Sequence, residues 1–197
     1  MYIDWNAHRF SGGVLALDLA NTVIFRQAPE RVQDRFSNSV EVARFATAAA
    51  SFRSGEWGDV QFEAPESQSE HSKLIELREA INSLFRTAVA EEGFKAQHLS
   101  DFLRLGSALI ADNQHEANLA LPPFVRRRDL SLSVAAVLSA LNLLDPRRLS
   151  RIKICPNCHW LYLDESRNRS RRWCDMTVCG NRAKAKRHYD RRSKMDG

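Results

Sequence analysis

Residues 155–182 read CPNCHWLYLDESRNRSRRWCDMTVCGNR and contain all four cysteines of the chain. Cys155 and Cys158 form a C-x2-C pair, and Cys174 and Cys179 form a C-x4-C pair after fifteen intervening residues. A C-x2-C turn brings two sulfurs to the same side of the chain, and a second pair completes a tetrahedral thiolate set. The spacing predicts one structural zinc ion with four protein ligands, which leaves no open position for water or substrate.

Other uses of the cluster stay open at this stage. The cysteines could instead form a redox dithiol or hold an iron–sulfur cluster. His159 adjoins Cys158, and His188 follows Cys179, so either histidine is an alternative ligand. Since four cysteines already suffice, a surface or packing role is favoured for both histidines.

The layout of the chain indicates a reducing compartment. Its first residues, Met1 to Trp5, lack the basic and then apolar order of a secretion signal. No apolar run approaches the roughly 18–20 residues needed to span a bilayer. We therefore expect a cytoplasmic protein, in which a cysteine cluster is more often a metal site than a set of disulfides.

Strand and helix formers surround the cysteines. Trp160 to Leu163 is rich in strand formers, and Asp164 to Ser170 would form a turn that leads back to the second pair. Gly180 to Lys194 has a helical pattern and is heavily basic. A knuckle, a hairpin and a helix carrying the last ligand predict a treble-clef-like finger.

Charge divides the chain into two parts. Residues 147–197 hold 15 Lys and Arg against 5 Asp and Glu, whereas residues 1–146 hold 14 against 19. A basic module of this kind suits a polyanionic partner, although a basic tail that only aids solubility is the open alternative. We therefore predict two domains, 1–146 and 147–197.

Helix signals dominate the first domain. Asn38 and Glu41 have the spacing of an N-terminal cap for a helix over 39–53. Ser67 and Glu70 have capping-box spacing before another amphipathic helix. The predicted fold class is therefore mainly α, with a multihelical N-terminal domain and a small finger.

Three further segments extend this helical prediction. Val14 to Phe25 suits a buried helix, with a strand as the alternative. An amphipathic helix is predicted over 98–111, with Leu103 among its inward residues. Leu130 to Leu144 is apolar nearly all round and ends at Pro146, which predicts a central buried helix.

Several segments of the chain resemble a known family. The finger segments that carry the resemblance are Cys155-x-x-Cys158, Asp164-x-Ser166-Arg167-Asn168, Arg171-Arg172-Trp173-Cys174 and Cys179-Gly180-Asn181-Arg182. They resemble the CGNR zinc-finger proteins of bacteria. Leu17-Asp18-Leu19-Ala20-Asn21-Thr22 is similar to the opening of the ABATE domain that precedes this finger. The resemblance implies a stress-responsive transcription regulator with a mainly helical N-terminal domain and a zinc-binding C-terminal finger, and it favours DNA as the partner.

The basic side chains of the finger are the candidate nucleic-acid contacts. They are Arg167, Arg169, Arg171 and Arg172 on the turn, and Arg182, Lys184, Lys186, Arg187 and Arg191 on the last helix. We expect most of these side chains to neutralise phosphates. Arg182, Lys186 and Arg187 are the candidates for reading bases if the helix enters the major groove. Arg126-Arg127-Arg128 is a further basic spot, most simply a solvated turn.

Three other finger residues have two readings each. Asn181 could contact a base, but capping the helix or orienting a cysteine sulfur is favoured. Trp173 and Tyr189 could stack on exposed bases, which would favour RNA or single strands. A place in the miniature core of the finger is the favoured reading for both rings.

Polar residues in the apolar segment near the start suggest a second site. Asp18, Asn21 and Thr22 must find partners if they are buried. Asp18 and Asn21 are candidate ligand-binding residues for a small-molecule effector. Internal hydrogen bonds that join helix ends are the favoured alternative.

The composite prediction is a DNA-binding regulator whose N-terminal domain senses a ligand or forms a homodimer. An RNA-binding module and a zinc-stabilised protein–protein adaptor are the alternatives. The sequence has no Gly-rich phosphate loop, no G-x-S-x-G and no paired metal-ligand histidines, so we do not expect an enzyme.

Overall fold

A computed structural model of the chain describes residues 3–112 and 129–193, with side chains up to residue 190. The helices within these ranges are α1 (Leu15–Ala20), α2 (Ser39–Phe52), α3 (Ser54–Trp57), α4 (Gln68–Ala90), α5 (Ala96–Asp112), α6 (Leu132–Asn142), α7 (Pro146–Leu149) and α8 (Asn181–Ser193). The strands are β1 (Val23–Ile24), β2 (Gln33–Asp34), β3 (Gln61–Glu63), β4 (Asp129–Ser131), β5 (Ile152–Ile154) and β6 (Leu161–Leu163). A 3-10 helix covers Ala7–Phe10, and a π-helical turn covers Met176–Gly180. The mainly helical class with a small finger is confirmed.

Two short helices, α1 and α6, form the centre of the body. Each residue of α1 is buried, and so is each residue of α6 from Leu132 to Ala140. A helix that is apolar on all sides is stable only when other elements surround it, and α1, α4 and α5 all pack against α6. The predicted central helix is confirmed. It begins at Leu132 because residues 129–131 form β4 instead.

The capping signals fall where the structure needs them. The Asn38 side chain accepts a hydrogen bond from the backbone N–H of Glu41 and starts α2. The Ser67 hydroxyl accepts from the N–H of Glu70, whose carboxylate accepts in return from the N–H of Ser67. The capping box that begins α4 is therefore present, as predicted.

The structure differs from the prediction at α5 and near the start. Leu103 is 46% exposed rather than inward, because α5 turns its Phe102 and Gly106 side toward the body. A Cβ on Gly106 would lie 3.1 Å from Cγ1 of Val137, so the glycine lets α5 approach α6 closely. The segment from Val14 to Phe25 contains both structures that were considered: helix α1 and then strand β1.

The strands form three two-stranded sheets within the described residues. The β1–β2 and β5–β6 pairs are antiparallel, and β3–β4 is parallel. In the β5–β6 pair, Ile152 lies opposite Leu163 and Ile154 lies opposite Leu161. Strand β5 ends just before the first cysteine pair and β6 begins after it, so this hairpin positions the cysteine cluster.

The hairpin of the finger is part of the main hydrophobic core. Ile152, Leu161 and Leu163 are buried together with the apolar residues of α1, α4 and α6. The backbone N–H of Leu163 also donates to the carbonyl of Gly12 at 2.8 Å. The part of the chain that carries the cysteines therefore packs against the helical body through a shared core.

Candidate metal centre and the basic surface beside it

The four cysteine sulfurs converge on one point. One Sγ atom from each of Cys155, Cys158, Cys174 and Cys179 lies within 4.8 Å of the others. The Sγ of Cys174 is 3.4 Å from that of Cys158 and 3.6 Å from that of Cys179. A tetrahedron with Zn–S bonds of about 2.3 Å has sulfur–sulfur edges of roughly 3.8 Å, so the cluster fits a zinc ion. The chain thus has one structural zinc site.

Neighbouring thiols in this cluster affect one another's ionisation. Hydrogen bonds from Cys158 and Cys174 hold the pKa of Cys155 well below its usual range. The hydrogen bond with Cys155 raises the pKa of the Cys174 thiol. Thiolates so close together repel one another, and a divalent cation that binds all four relieves this repulsion.

A tight turn presents the first cysteine pair. The N–H of His159 donates to the carbonyl of Cys155 at 2.9 Å, and the N–H of Cys155 donates to the carbonyl of Trp160 at the same distance. His159 has a positive φ of 60°, which reverses the chain after Cys158. His159 and His188 are both exposed, and neither belongs to the ligand cluster.

Asp175 organises the turn that carries Cys179. Its Oδ1 accepts hydrogen bonds from the N–H groups of Thr177 and Val178, and its carbonyl accepts from the N–H of Cys179. Its Oδ2 lies 2.8 Å from Nδ1 of His8, at the other end of the chain. The second ligand pair is therefore fixed by local capping and by a contact with the helical body.

Asn181 has a structural contact at the start of α8. Its side-chain amide donates to the carbonyl of Thr177 at 2.8 Å and joins the helix to the π-helical turn. A free backbone carbonyl at this junction thereby gains a donor. This contact corresponds to the structural role that was favoured over a base contact.

Asp164 is the main organiser of the turn between the two pairs, a role that the sequence pattern alone did not indicate. Its carboxylate is fully buried and accepts from Nζ of Lys153 at 2.5 Å, from the hydroxyl of Ser166 at 2.6 Å and from the N–H of Arg171 at 3.0 Å. Burial alone would raise the pKa of Asp164, but Lys153, Ser166 and the backbone donors outweigh it and hold the pKa at about 2. The Asp-x-Ser spacing is the local signal of this turn.

Arg171 differs from the other basic residues of the turn. Its guanidinium donates to the carbonyls of Trp173, Cys174, Leu163 and Ser11. It also lies over the Tyr162 ring, 5.0 Å from the centroid. Its donors thus hold the finger together, and a nucleic-acid contact of Arg171 stays a prediction.

Seven candidate nucleic-acid residues have exposed side chains. They are Arg167, Arg169, Arg172, Arg182, Lys184, Lys186 and Arg187. Arg172 lies over the indole of Trp173, 5.3 Å from the ring centroid, so the ring holds this exposed side chain beside the metal centre. The side chain of Arg191 and the segment Arg126-Arg127-Arg128 lie outside the described residues.

Helix α8 projects from the rest of the finger. All its side chains from Asn181 to Asp190 are exposed except Ala183, which is half-buried. Its main contact with another described element is with the π-helical turn before it. Tyr189 is 72% exposed, so it is not part of the core of the finger, contrary to the favoured reading. Trp173 does pack against the cysteine cluster.

Comparison with protein families agrees with this architecture. Residues 13–145, more than half of the chain, match the ABATE family, described as "Putative stress-induced transcription regulator". The chain belongs to the ABATE family. Residues 151–192 match the CGNR zinc finger, so the resemblance seen in the sequence is confirmed. No curated protein matches the chain.

In this ABATE protein, Asp18 and Asn21 have protein partners. Asp18 is buried and accepts from the N–H of Gly12 at 2.8 Å and from the guanidinium of Arg53. A Cβ on Gly12 would lie 2.6 Å from the Asp18 carboxylate, so only glycine fits there. Asn21 pairs with the backbone of Leu161. A ligand role for Asp18 and Asn21 stays a prediction, and these contacts are internal hydrogen bonds of the kind that was favoured.

None of the helices in the described parts of this ABATE protein combines the length and apolar character needed to cross a membrane.

Proposed function

We propose that this ABATE protein is a cytoplasmic, DNA-binding transcription regulator that grips duplex DNA with its zinc finger. One observation carries the proposal: α8 is basic, nearly all its described side chains are exposed, and its main packing contact is with the π-helical turn at its base. A helix without an apolar face gains little from packing, so a partner of opposite charge is the physical reason to present it. The zinc centre holds the base of this helix in place.

The dimensions of α8 suit a major groove. An α-helix with its side chains is about 10–12 Å wide, and the major groove of B-DNA is about 12 Å wide. Since α8 projects from the finger, it presents its exposed basic side chains to such a groove. Arg182, Lys186 and Arg187 are then the residues placed to reach base edges, and Lys184 and Arg191 would contact phosphates.

The turn between the two cysteine pairs adds phosphate contacts. Arg167, Arg169 and Arg172 are exposed there, and the network around Asp164 keeps their backbone fixed. A fixed turn loses less conformational entropy when its arginines bind phosphates. In this arrangement α8 contacts base edges in the groove, and the turn contacts the DNA phosphates beside the groove.

Single-stranded nucleic acid is the second candidate, because Tyr189 is exposed on α8. An exposed aromatic ring on a basic helix can stack on an unpaired base. Regulation by the ABATE body, through ligand sensing or homodimerisation, completes the proposal. A zinc-stabilised protein adaptor is the outcome if no nucleic acid binds.

Fluorescence anisotropy of the zinc-loaded chain against duplex DNA, single-stranded DNA and structured RNA tests the proposal. We expect preferred duplex binding whose log affinity falls linearly with log salt concentration, with a slope that counts the phosphates engaged. Arg104→Gln, which removes an exposed arginine from α5, is the matched control and should leave the slope unchanged. Absence of binding to all three at low salt would refute a nucleic-acid function.

A further inference from the structure

A cavity of about 690 Å³ lies where the finger meets the helical body. Three arginines line it: Arg9 after His8 in the 3-10 helix, Arg35 after β2, and Arg182 in the first turn of α8. Ile24 and Phe25 supply an apolar wall. This size lies within the range of about 300–1,000 Å³ that is typical of small-molecule pockets.

Arg35 is a buried cation without a carboxylate partner. It is 7% exposed, and among the described residues the one hydrogen bond of its guanidinium is a 3.5 Å contact with the carbonyl of Asn21. It lies over the Trp160 ring, 5.2 Å from the centroid. Within the described residues, no carboxylate comes within 4.0 Å of its guanidinium. A buried charge without a counter-charge is costly, so its presence calls for an anion.

The groups around Arg35 also favour the binding of an anion. The Nε of Arg9 and the indole N–H of Trp160 are both buried without a hydrogen-bond partner among the described residues. Burial lowers the pKa of Arg35 to about 9, and repulsion by Arg9 adds to the effect. Burial also lowers the pKa of Arg9; attraction by Asp4 opposes this effect, and repulsion by Arg182 adds to it. Arg9 is therefore repelled by both of the other arginines, and an anion among them would relieve this repulsion.

The acidic groups near the cavity are mostly engaged elsewhere. Asp34 accepts two hydrogen bonds at 2.7 Å from the guanidinium of Arg78. Asp175 contacts His8, and Asp4 accepts from the amide of Asn6 and attracts Arg9 only at longer range.

The metal centre offers some negative charge as well. Cys158 lines the cavity, and its sulfur attracts Arg35. A zinc ion with four thiolates carries a net negative charge, which compensates part of the positive charge near Cys158. The Nε of Arg9 and the indole N–H of Trp160 nevertheless reach no sulfur or other acceptor among the described residues.

The conformation of Phe25 is a further unusual feature of this cavity. Its φ is 56°, in a region that bulky residues rarely adopt. Such strain is most often found at ligand sites, where the surrounding structure holds it in place. Here it keeps an aromatic ring, 42% exposed, at the edge of the cavity.

We propose that this cavity binds a small organic anion, whose carboxylate or phosphate lies among Arg9, Arg35 and Arg182 and whose apolar part lies against Ile24 and Phe25. A DNA phosphate is the less suitable occupant, because a phosphate held on a duplex cannot reach a side chain as buried as Arg35. Because Arg182 lies in the first turn of α8, the bound anion would affect the helix that we propose contacts DNA. This regulatory consequence rests on the proposed function, but the anion binding itself does not.

Calorimetric titration of the zinc-loaded full chain without DNA tests the site. The probes are phenyl phosphate and benzoate, with benzamide as the neutral counterpart. We expect saturable binding of at least one anion and none of benzamide. Arg35→Met should weaken that binding about tenfold or more, because a charge-assisted contact is lost. Arg104→Gln removes an exposed arginine of α5 that does not line the cavity, so it should leave anion binding unchanged.

The zinc content of each variant is measured, because Cys158 lies beside the cavity. If Arg35→Met loses zinc, Arg9→Gln on the half-buried Arg9 gives the same comparison. No saturable heat from either anion, or binding unaffected by both variants, overturns the proposal. If the wild type binds no anion and either Arg35→Met or Arg9→Gln weakens duplex binding, the cavity belongs to the DNA-binding surface. That result would also overturn the proposal of an anion site. Failure of DNA binding by itself would leave the anion site standing.

Discussion

The side-chain amide of Asn21 pairs with the backbone of Leu161 in both directions. Its Nδ2 donates to the carbonyl of Leu161 at 2.8 Å, and its Oδ1 accepts from the N–H of Leu161 at 3.0 Å. Asn21 follows α1 in the helical body, whereas Leu161 begins the second strand of the finger hairpin. Both are buried, so this pair joins the two parts of the chain where water cannot replace it.

Replacing Asn21 tests this junction. Asn21→Ala leaves the N–H and the carbonyl of Leu161 buried without partners, which should cost roughly 1–3 kcal/mol of unfolding free energy per group. We expect a lower denaturant midpoint for the whole chain, measured by circular dichroism with zinc bound. Asn168→Ala, at an exposed position of the finger turn, is the control. Equal midpoints for the wild type and Asn21→Ala would show that the junction adds no stability.

Removal of a zinc ligand should affect more than the finger. Cys174→Ser should abolish zinc binding, as metal analysis would show, and should also lower the melting temperature of the helical body. The reason is that Ile152, Leu161 and Leu163 belong to the main core and are held in place by the metal centre. Wild-type protein stripped of zinc by a chelator should melt like the variant. Stoichiometric zinc in Cys174→Ser would contradict the ligand assignment.

The parts of the fold that the sequence predicts correctly depend on local chemistry. Cysteine spacing determines the metal cluster, and the caps at Asn38 and Ser67 depend on residues three positions away. The burial of α6 follows from its composition alone.

The parts that the sequence did not predict depend on contacts between distant segments. The sequence pattern predicts Arg171 as one more cation of the turn, but its four carbonyl partners include Ser11, at the other end of the chain. The pattern predicts that Leu103 and Tyr189 lie inward, but both are exposed, because no element in the described parts of the chain covers them. The Arg35 cavity arises where β2, the 3-10 helix and α8 meet, and no pattern within one segment indicates that meeting.

The pH dependence of stability tests the role of Asp164. Its folded pKa of about 2 lies below its ordinary value of 3.8. A depressed folded pKa contributes stability that is present above the unfolded pKa and is lost as the pH falls from 3.8 toward 2. Asp164→Asn should therefore be less stable than the wild type at neutral pH, and the difference should shrink across that window. A difference that stays constant with pH would show that its charge contributes nothing.

Adjacent arginines separate stability from binding. Arg171→Gln should lower the unfolding free energy by roughly 1.5–3 kcal/mol, because charge-assisted hydrogen bonds to buried carbonyls are lost. Arg172→Gln should leave stability nearly unchanged but reduce the salt slope of duplex binding by about 1, because one phosphate contact is removed. Thermal melts and anisotropy at several salt concentrations measure both. The opposite pattern would exchange the roles assigned to the two residues.

Two residues of α8 distinguish duplex from single-strand recognition. Lys186 is exposed and does not line the Arg35 cavity, so Lys186→Ala reports on groove contact alone. It should weaken duplex binding by roughly 1–3 kcal/mol if the side chain reaches a base edge. Tyr189→Ala should leave duplex affinity unchanged, because an intact duplex offers no unpaired base for stacking. If instead Tyr189→Ala weakens single-stranded binding by roughly 1–3 kcal/mol while Lys186→Ala spares the duplex, α8 presents a stacking surface and the finger recognises unpaired bases.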